Sequence, residues 1–127
     1  MTILKKASAA VLTLLVLCPL AHAGGAIAVG DADRKAQDSS TEKHFMATGH
    51  RTSELAKQAA LKECEANGLH FCHVASWFDQ CGAYAKSATN SGIGTGPTQQ
   101  EAVRVALASC GKDCKLVQVQ CESESKT

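Results

Sequence analysis

The chain has few aromatic residues and almost no excess of either charge. Phenylalanine, tryptophan and tyrosine make up 4% of its 127 residues, and 13 lysines and arginines stand against 12 aspartates and glutamates. It contains neither a basic run nor an alternation of basic with aromatic residues, which are the usual marks of a nucleic-acid surface. We therefore expect no nucleic-acid partner and no broad stacking surface for sugars or bases.

The sequence also lacks the common catalytic and phosphate-binding motifs. No serine lies in a Gly-x-Ser-x-Gly elbow. The run Gly92-x-Gly94-x-Gly96 has neither Rossmann spacing nor a Walker lysine, so a turn or a closely packed strand is favoured over an anion-binding loop. The aspartates of a polar segment, which complete no calcium-binding loop, are Asp31, Asp33 and Asp38.

Residues 1–23 have the organisation of a secretory signal peptide. Lys5 and Lys6 give a basic start, residues 7–17 form an apolar run, and Ala21-His22-Ala23 is a small-x-small cleavage site. The run is shorter than the roughly 20 apolar residues that span a bilayer. We expect cleavage after Ala23, which leaves a periplasmic or secreted chain with no stable membrane insertion.

Cysteine is abundant, with seven residues. Cys18 would leave with the signal peptide; lipid attachment at this residue is the alternative, although Leu17 and Pro19 do not resemble a lipidation site. Six cysteines in a short exported domain predict a disulfide framework. Zinc is the competing interpretation, but Cys110-x3-Cys114 lacks the paired short spacings of a zinc ribbon.

One arrangement of residues occurs twice in the chain. Thr52 and Thr98 can each cap a helix, because a threonine hydroxyl accepts a free N–H of the first turn. The two helices align without a gap at an offset of 46, and the differences in length fall in loops. The pairs that match at this offset are Ala56 and Ala102, Ala60 and Ala106, Leu61 and Leu107, and Cys64 and Cys110.

Each copy is predicted to be a strand–strand–helix–strand unit. In the first, an apolar strand over 24–29 precedes a polar, mobile loop over 31–44, and Gly68 ends the helix. In the second, Thr98 and Glu101 form a capping box. The alternation over 116–120 predicts a last strand with Val117 and Val119 facing inward.

These patterns predict an α+β domain, in which two helices pack on a mainly antiparallel sheet. The domain covers 24–121, with units at about 24–79 and 81–121, and a polar tail follows at 122–127.

The layout of cysteines and repeats resembles the bacterial exported domain-of-unknown-function family four-one-eight-nine. The resemblance covers roughly residues 24–121. It implies a small, exported, disulfide-linked protein, and it brings no established reaction and no agreed catalytic residues. The motifs that carry it are Gly25-Ala26-Ile27-Ala28-Val29, the helix ending in Cys64, Cys72 with Trp77-Phe78, Cys81-Gly82-Ala83-Tyr84-Ala85, and the helix ending in Cys110 with Cys114 and Cys121.

The duplicated layout then suggests a pairing for the six cysteines, although six cysteines allow 15 pairings. Two bonds would join the end of a helix to the next strand, and the third would link the start and end of the second unit. The suggested pairs are Cys64–Cys72, Cys110–Cys114 and Cys81–Cys121.

The functional candidates in the sequence are few. His70 and His73 could hold a metal ion, but surface histidines near a disulfide turn are the favoured interpretation. A hydrolase would use His73 as a base with a nearby serine. The serines available to it are Ser76, Ser87 and Ser91.

The aromatic pair Trp77 and Phe78 belongs either to the core or to the rim of a protein-binding face. We expect a non-enzymatic binding module without a cofactor. Its partner would be a protein or a component of the cell envelope, and its role that of an inhibitor, an immunity protein or an effector.

Overall fold

The computed structural model describes residues 24–35 and 39–122, so the expected signal peptide and most of the polar tail lie outside it. Among the described residues, no helix combines the length and apolar character needed to cross a membrane. A short 3-10 turn at Ser39–Thr41 precedes the second strand. The elements are β1 (Gly24–Asp31), β2 (Glu42–His50), α1 (Ser53–Ala66), β3 (His70–Phe78), β4 (Cys81–Lys86), β5 (Ser91–Gly96), α2 (Gln99–Cys110) and β6 (Lys115–Cys121).

The six strands form two antiparallel sheets, one in each unit. The strand orders are β2-β1-β3 and β5-β4-β6, so the first strand of each unit lies in the centre of its sheet. The predicted α+β class and the two similar units are confirmed, with the strands divided between two sheets.

The two sheets face each other, and each helix packs on the outer face of its own sheet. Between the sheets, β1 lies against β4, β2 against β6, and β3 against β5. The second strand of each unit thus faces the third strand of the other unit, which is the arrangement that a twofold rotation between two similar units produces. The layers therefore run helix, sheet, sheet, helix.

Small side chains form each helix–sheet core. In the first unit, Ala56, Ala60 and Cys64 of α1 recur every four residues and share one helix face. They pack on Ala26 and Ala28 of β1, and all five are buried. The matching core of the second unit contains Ala83, Ala85, Ala102, Ala106 and Cys110.

The two units share one aromatic ring in the space between the sheets. Phe78 is 2% exposed. A Cβ atom at either Gly25 or Gly82 would overlap the Phe78 ring. These two glycines occupy the same position in β1 and β4, so the two units share one side chain at their junction.

Three disulfides fasten these layers, and they join the pairs that the duplicated layout suggests. Cys64–Cys72 and Cys110–Cys114 each tie a helix end to the following strand. Cys81–Cys121 joins the facing ends of β4 and β6. Such bonds restrict the unfolded chain, which helps a domain too small to bury a large core.

The predicted polar loop over 31–44 was too long. β1 extends to Asp31, and β2 already begins at Glu42, which pairs with Asp31. Polar residues fit this strand because β2 is at the edge of its sheet, where side chains can reach solvent. The loop was predicted from its charged side chains, and the pairing of β1 with β2 is not visible in the sequence.

Two details of the second unit also differ from expectation. Val117 is half exposed, because the register shifts between Tyr84 and Ala85 and places an extra residue in β6; Val119 packs against the core as predicted. The capping box is only half formed. The Thr98 hydroxyl accepts from the N–H of Glu101, but the Glu101 carboxylate pairs with Arg104 at 2.6 Å.

Candidate functional site

A cleft of about 420 Å³ lies where β3 and β5 end beside each other. We call it the Trp77 cleft. One wall comes from the end of β3 and its connection to β4, and the other from the end of β5 and the segment leading into α2. The lining residues are Trp77, Phe78, Asp79, Gln80, Thr95, Gly96 and Pro97.

The register of β3 sends its two adjacent aromatic residues to opposite faces of the sheet. Trp77 pairs with Ala26 and therefore lies on the side of α1, whereas Phe78 pairs with Gly25 and points between the sheets. Trp77 remains 47% exposed because β3 is an edge strand. Of the two aromatic candidates, Trp77 is the accessible one and Phe78 belongs to the core.

Charges of both signs surround Trp77. The Lys57 ammonium group, from α1, lies 5.6 Å from the centre of the indole ring, within the range of a cation–π contact. Lys57 also forms an exposed ion pair with Glu54 at 3.4 Å. Asp79, on the other side, is exposed and lines the cleft. The cleft therefore combines an apolar ring with a carboxylate two residues away.

Apart from the Trp77 cleft, a tyrosine hydroxyl is buried between the sheets. The Tyr84 hydroxyl, from β4, donates to the Glu42 carboxylate of β2 at 2.5 Å. Burial, reinforced by this hydrogen bond, raises the pKa of Tyr84 well above its usual value of about 10. Tyr84 therefore keeps its proton at neutral pH and serves as a hydrogen-bond donor that joins the two sheets.

His44 belongs to the same junction. Its ring stacks on Tyr84, with 4.4 Å between the ring centres, and its Nε2 lies 2.7 Å from the Gln118 side-chain oxygen. These contacts join β2 to β4 and β6. The Tyr84 ring and its hydroxyl group are therefore both in contact with other protein groups, which suits a structural role.

The structure places His70 and His73 on β3, and within the described residues no hydrogen bond joins either of them to Ser76, Ser87 or Ser91. His73 is exposed, and its Nδ1 lies 3.0 Å from the carbonyl oxygen of Phe71. The Ser76 hydroxyl donates to the Trp77 carbonyl and that of Ser87 to the Asn90 carbonyl, whereas Ser91 lies at the start of β5, paired with Lys86 of β4.

The metal and anion candidates do not assemble into sites either. Within residues 24–35 and 39–122, no group of three or more His, Cys, Asp and Glu side chains is placed to hold a metal ion. Asp38 lies outside the described residues. Gly92 and Gly94 are on β5, where their backbone lies directly against α2, so the closely packed strand is the correct interpretation of the glycine run.

Two features were missed by sequence reasoning. A second pocket of about 430 Å³ lies between β2 and the end of α1, lined by Lys43, His44, Phe45, Asn67 and Leu69. We call it the Phe45 pocket. The second feature is Phe71, which is 64% exposed and has a positive φ of 58°. The signal available in the sequence was that Phe71 matches Asp113 at an offset of 42, because aspartate adopts a positive φ far more readily than phenylalanine.

Comparisons with known proteins agree with this architecture. A family model described as "Domain of unknown function (DUF4189)" matches residues 23–121. Among solved structures, the chain is similar to the NMR structure of Rv1813c from Mycobacterium tuberculosis, with 26% sequence identity and a TM-score of 0.54. That alignment covers 83% of this chain and 78% of the other. A comparison with curated proteins finds no significant match.

Proposed function

Because the chain belongs to the DUF4189 family, a family of domains of unknown function, we propose its role from the site itself: an exported, non-enzymatic module that binds a protein through the Trp77 cleft. The observation that carries this proposal is the half-exposed indole of Trp77 in a cleft on a cross-linked scaffold. Tryptophan is among the residues that most often dominate the energy of protein interfaces.

The scaffold supports a binding role. Each wall of the cleft leads directly into a cross-linked element: the first leads into Cys81 of β4, which pairs with Cys121, and the second leads into α2, whose far end is tied by Cys110–Cys114. A surface fixed before binding loses less conformational entropy on association. The cleft is therefore suited to a partner that recognises a rigid shape.

The charge of the cleft indicates the chemistry of the partner. Asp79 places a carboxylate beside the indole ring. A partner segment that inserts an apolar side chain next to Trp77 and presents a lysine or arginine to Asp79 would satisfy both features. Since Pro97 has no backbone N–H, that part of the wall offers contact area and no main-chain hydrogen-bond donor.

The non-enzymatic character is supported by where the polar groups lie. Tyr84 and His44 are engaged with other protein groups between the sheets, and His73 bonds to its own strand. None of these side chains lines the Trp77 cleft. The cleft residues themselves provide a carboxylate, an amide and a hydroxyl, without a paired base and nucleophile.

The binding role can be tested by capture from periplasmic and culture extracts of the producing cell. Immobilised mature protein should retain a protein partner, and Trp77→Ala should lower that retention at least tenfold. Leu116→Ala is the matched control, because Leu116 is also large, apolar and about as exposed (41%) but lies on β6, away from the cleft. Retention by the control should equal that of the wild type.

Two results would contradict the proposal. One is the absence of a partner across extracts and salt concentrations, and the other is equal loss of retention in both variants. Asp79→Asn sharpens the test, because it should weaken binding and reduce its salt dependence.

Export is tested separately by cell fractionation and mass spectrometry. The expected product lies outside the cytoplasm and begins at Gly24, with all six of its cysteines oxidised. A cytoplasmic protein that retains residues 1–23 would remove the export part of the proposal and leave the binding test unaffected.

A further inference from the structure

Phe71 combines two unfavourable features. A phenylalanine with φ of 58° adopts a left-handed conformation that non-glycine residues other than Asn, Asp and His seldom occupy. The same residue exposes 64% of its surface, the largest exposed fraction among the large apolar side chains of the described ranges. Neither backbone preference nor burial in this chain explains a phenylalanine here.

The second unit has the same backbone conformation with an ordinary residue. Asp113 has φ of 65° and precedes Cys114, as Phe71 precedes Cys72. Each residue lies within the chain segment that a disulfide closes onto the helix end, Asp113 in a turn and Phe71 as the second residue of β3. The segment itself therefore requires the positive φ, and the first unit carries a phenylalanine at a position where aspartate is adequate.

The Phe45 pocket lies at the same end of the first unit. It is mainly apolar, because Phe45 and Leu69 contribute side chains that are only partly covered by the helix core. Leu69 precedes Phe71 by two residues, yet Phe71 remains exposed and does not fill the pocket of its own chain. At about 430 Å³, the space is large enough for a phenyl ring.

The pocket exists because of a difference between the units. In the second, Gly92 and Gly94 let the backbone of α2 lie directly on β5. The equivalent positions of β2, read from the strand registers, are Phe45 and Ala47. The larger side chains stand between β2 and α1, and the open pocket forms beside them.

We propose that two copies of this chain associate through a twofold axis, each placing Phe71 in the Phe45 pocket of the other. An exposed ring and an apolar pocket separated by only two residues of chain, from Phe71 to Leu69 of the pocket wall, can serve as the two halves of a self-complementary contact, which is the requirement for a closed, isologous dimer. An unrelated partner would need only one of the two features. The presence of both on one chain favours a second copy.

This contact is separate from the Trp77 cleft. Phe71 and Trp77 lie near opposite ends of β3, six residues apart, or about 20 Å at the rise of an extended strand. The dimer would therefore leave both Trp77 clefts open, and failure of either proposal would not decide the other.

Analytical ultracentrifugation of the oxidised mature protein tests the dimer. The wild-type mass should rise towards twice that of the monomer with increasing concentration, and Phe71→Asp should raise the dimer Kd at least about 30-fold, the range of an interface hot spot. Asn67→Trp, which narrows the pocket from an exposed position, should have the same effect. Leu55→Asp is the control, because Leu55 is 46% exposed but lies in the first turn of α1, at the opposite end of this helix from Asn67; its Kd should match the wild type.

Phe71→Asp also separates a binding role from a folding role. It installs the residue that the second unit already uses, so the urea midpoint of the dilute monomer should be unchanged or higher than that of the wild type.

The contact itself can be mapped with p-benzoylphenylalanine in place of Phe71. In a mixture of isotopically light and heavy protein, cross-links should join copies of different mass and should map to Phe45, Asn67 or Leu69. A wild type that is monomeric at every concentration would overturn the proposal. So would dimerisation of Phe71→Asp with the wild-type Kd, cross-links that map elsewhere, or a Phe71-dependent complex with another protein while the chain stays monomeric.

Discussion

The two units place different residues between the helix and the edge strand. In the second unit, α2 lies directly on the backbone of β5, where Gly92 and Gly94 leave no side chain in between. In the first, Phe45 and Ala47 occupy the same positions of β2. The helix faces are otherwise alike, with Ala56 and Ala60 in α1 matching Ala102 and Ala106 in α2.

This difference shows how one architecture can give a closed unit and an open one. Glycine on the strand permits close approach of two backbones, which leaves no space for a ligand. A phenylalanine at the same position places a ring between helix and strand, and this ring forms part of the wall of the Phe45 pocket. Both candidate binding aromatics, Trp77 and Phe71, also come from β3 of the first unit, while the second unit contributes Thr95, Gly96 and Pro97 to one wall of the Trp77 cleft.

Removing disulfides should show the largest difference between the units. Cys81–Cys121 closes a separation of 40 residues and has no counterpart in the first unit, where Gly24 stands at the position of Cys81. The chain-entropy model gives a loss of about 4 kcal/mol for the Cys81→Ala/Cys121→Ala pair. The same model gives about 2 to 2.6 kcal/mol for each of the two equivalent bonds, which span 8 and 4 residues.

Urea denaturation of the three alanine pairs at neutral pH measures this order. Equal losses for all three would mean that loop length does not govern their contribution, and that strain or residual structure in the unfolded chain does.

Exchanging the small residues of the edge strands should have the next largest effect. A Cβ at Gly94 would overlap the carbonyl oxygen of Ala102 and the amide nitrogen of Ala106. Because neither backbone can move alone, we expect Gly94→Ala to destabilise the domain by about 3 kcal/mol. The reverse change, Ala47→Gly, should cost only about 1 kcal/mol, because it removes one methyl group and loosens the strand.

Thermal or urea unfolding of these two variants compares the units directly. If Gly94→Ala cost no more than Ala47→Gly, the close approach of α2 to β5 would be incorrect.

The sequence predicted most of the fold because the signals were local. The cap at Thr52, the four-residue spacing that ends in Cys64 and the matching spacing before Cys110 specified both helices and their buried faces. The bulge that exposes Val117 was not predictable in this way, because it depends on how β6 pairs with β4. The sequence alternation is the same with or without that register shift.

The candidate site was predictable only in part. Trp77 and Phe78 were identified together, and their separate roles could not be predicted, since the face on which each side chain lies depends on pairing with β1. The Phe45 pocket was invisible because its walls come from β2 and the end of α1, more than 20 residues apart. Phe71 was visible only by comparison with Asp113.

One pair of equivalent residues between the sheets offers a comparison that depends on pH. Ile27 in β1 and Tyr84 in β4 occupy equivalent positions, and both are fully buried. The pKa of Tyr84 is raised in the folded state, so above pH 10 the unfolded chain loses this proton first and stability falls. The stability advantage of the wild type over Tyr84→Phe should shrink by up to about 1.4 kcal/mol per pH unit there.

Urea midpoints of both proteins from about pH 8 to 11 measure this difference, and the titration of the lysines that both proteins contain affects them equally. Tyr84→Phe leaves the other hydroxyl and amine groups unchanged. A difference that stays constant across the range would contradict a raised pKa.

Helix capping should show the smallest effect, and the units should respond alike. Thr52 accepts the N–H of Leu55 at 3.2 Å, and Thr98 accepts that of Glu101 at 3.1 Å, with nearly identical extended backbones at the two caps. Each Thr→Ala change should therefore lower the free energy of unfolding by about 1 kcal/mol, and Thr→Ser should restore most of it. A loss at Thr98 clearly different from that at Thr52 would contradict the equivalence of the two caps, because each substitution removes the same side-chain bond from the same backbone conformation.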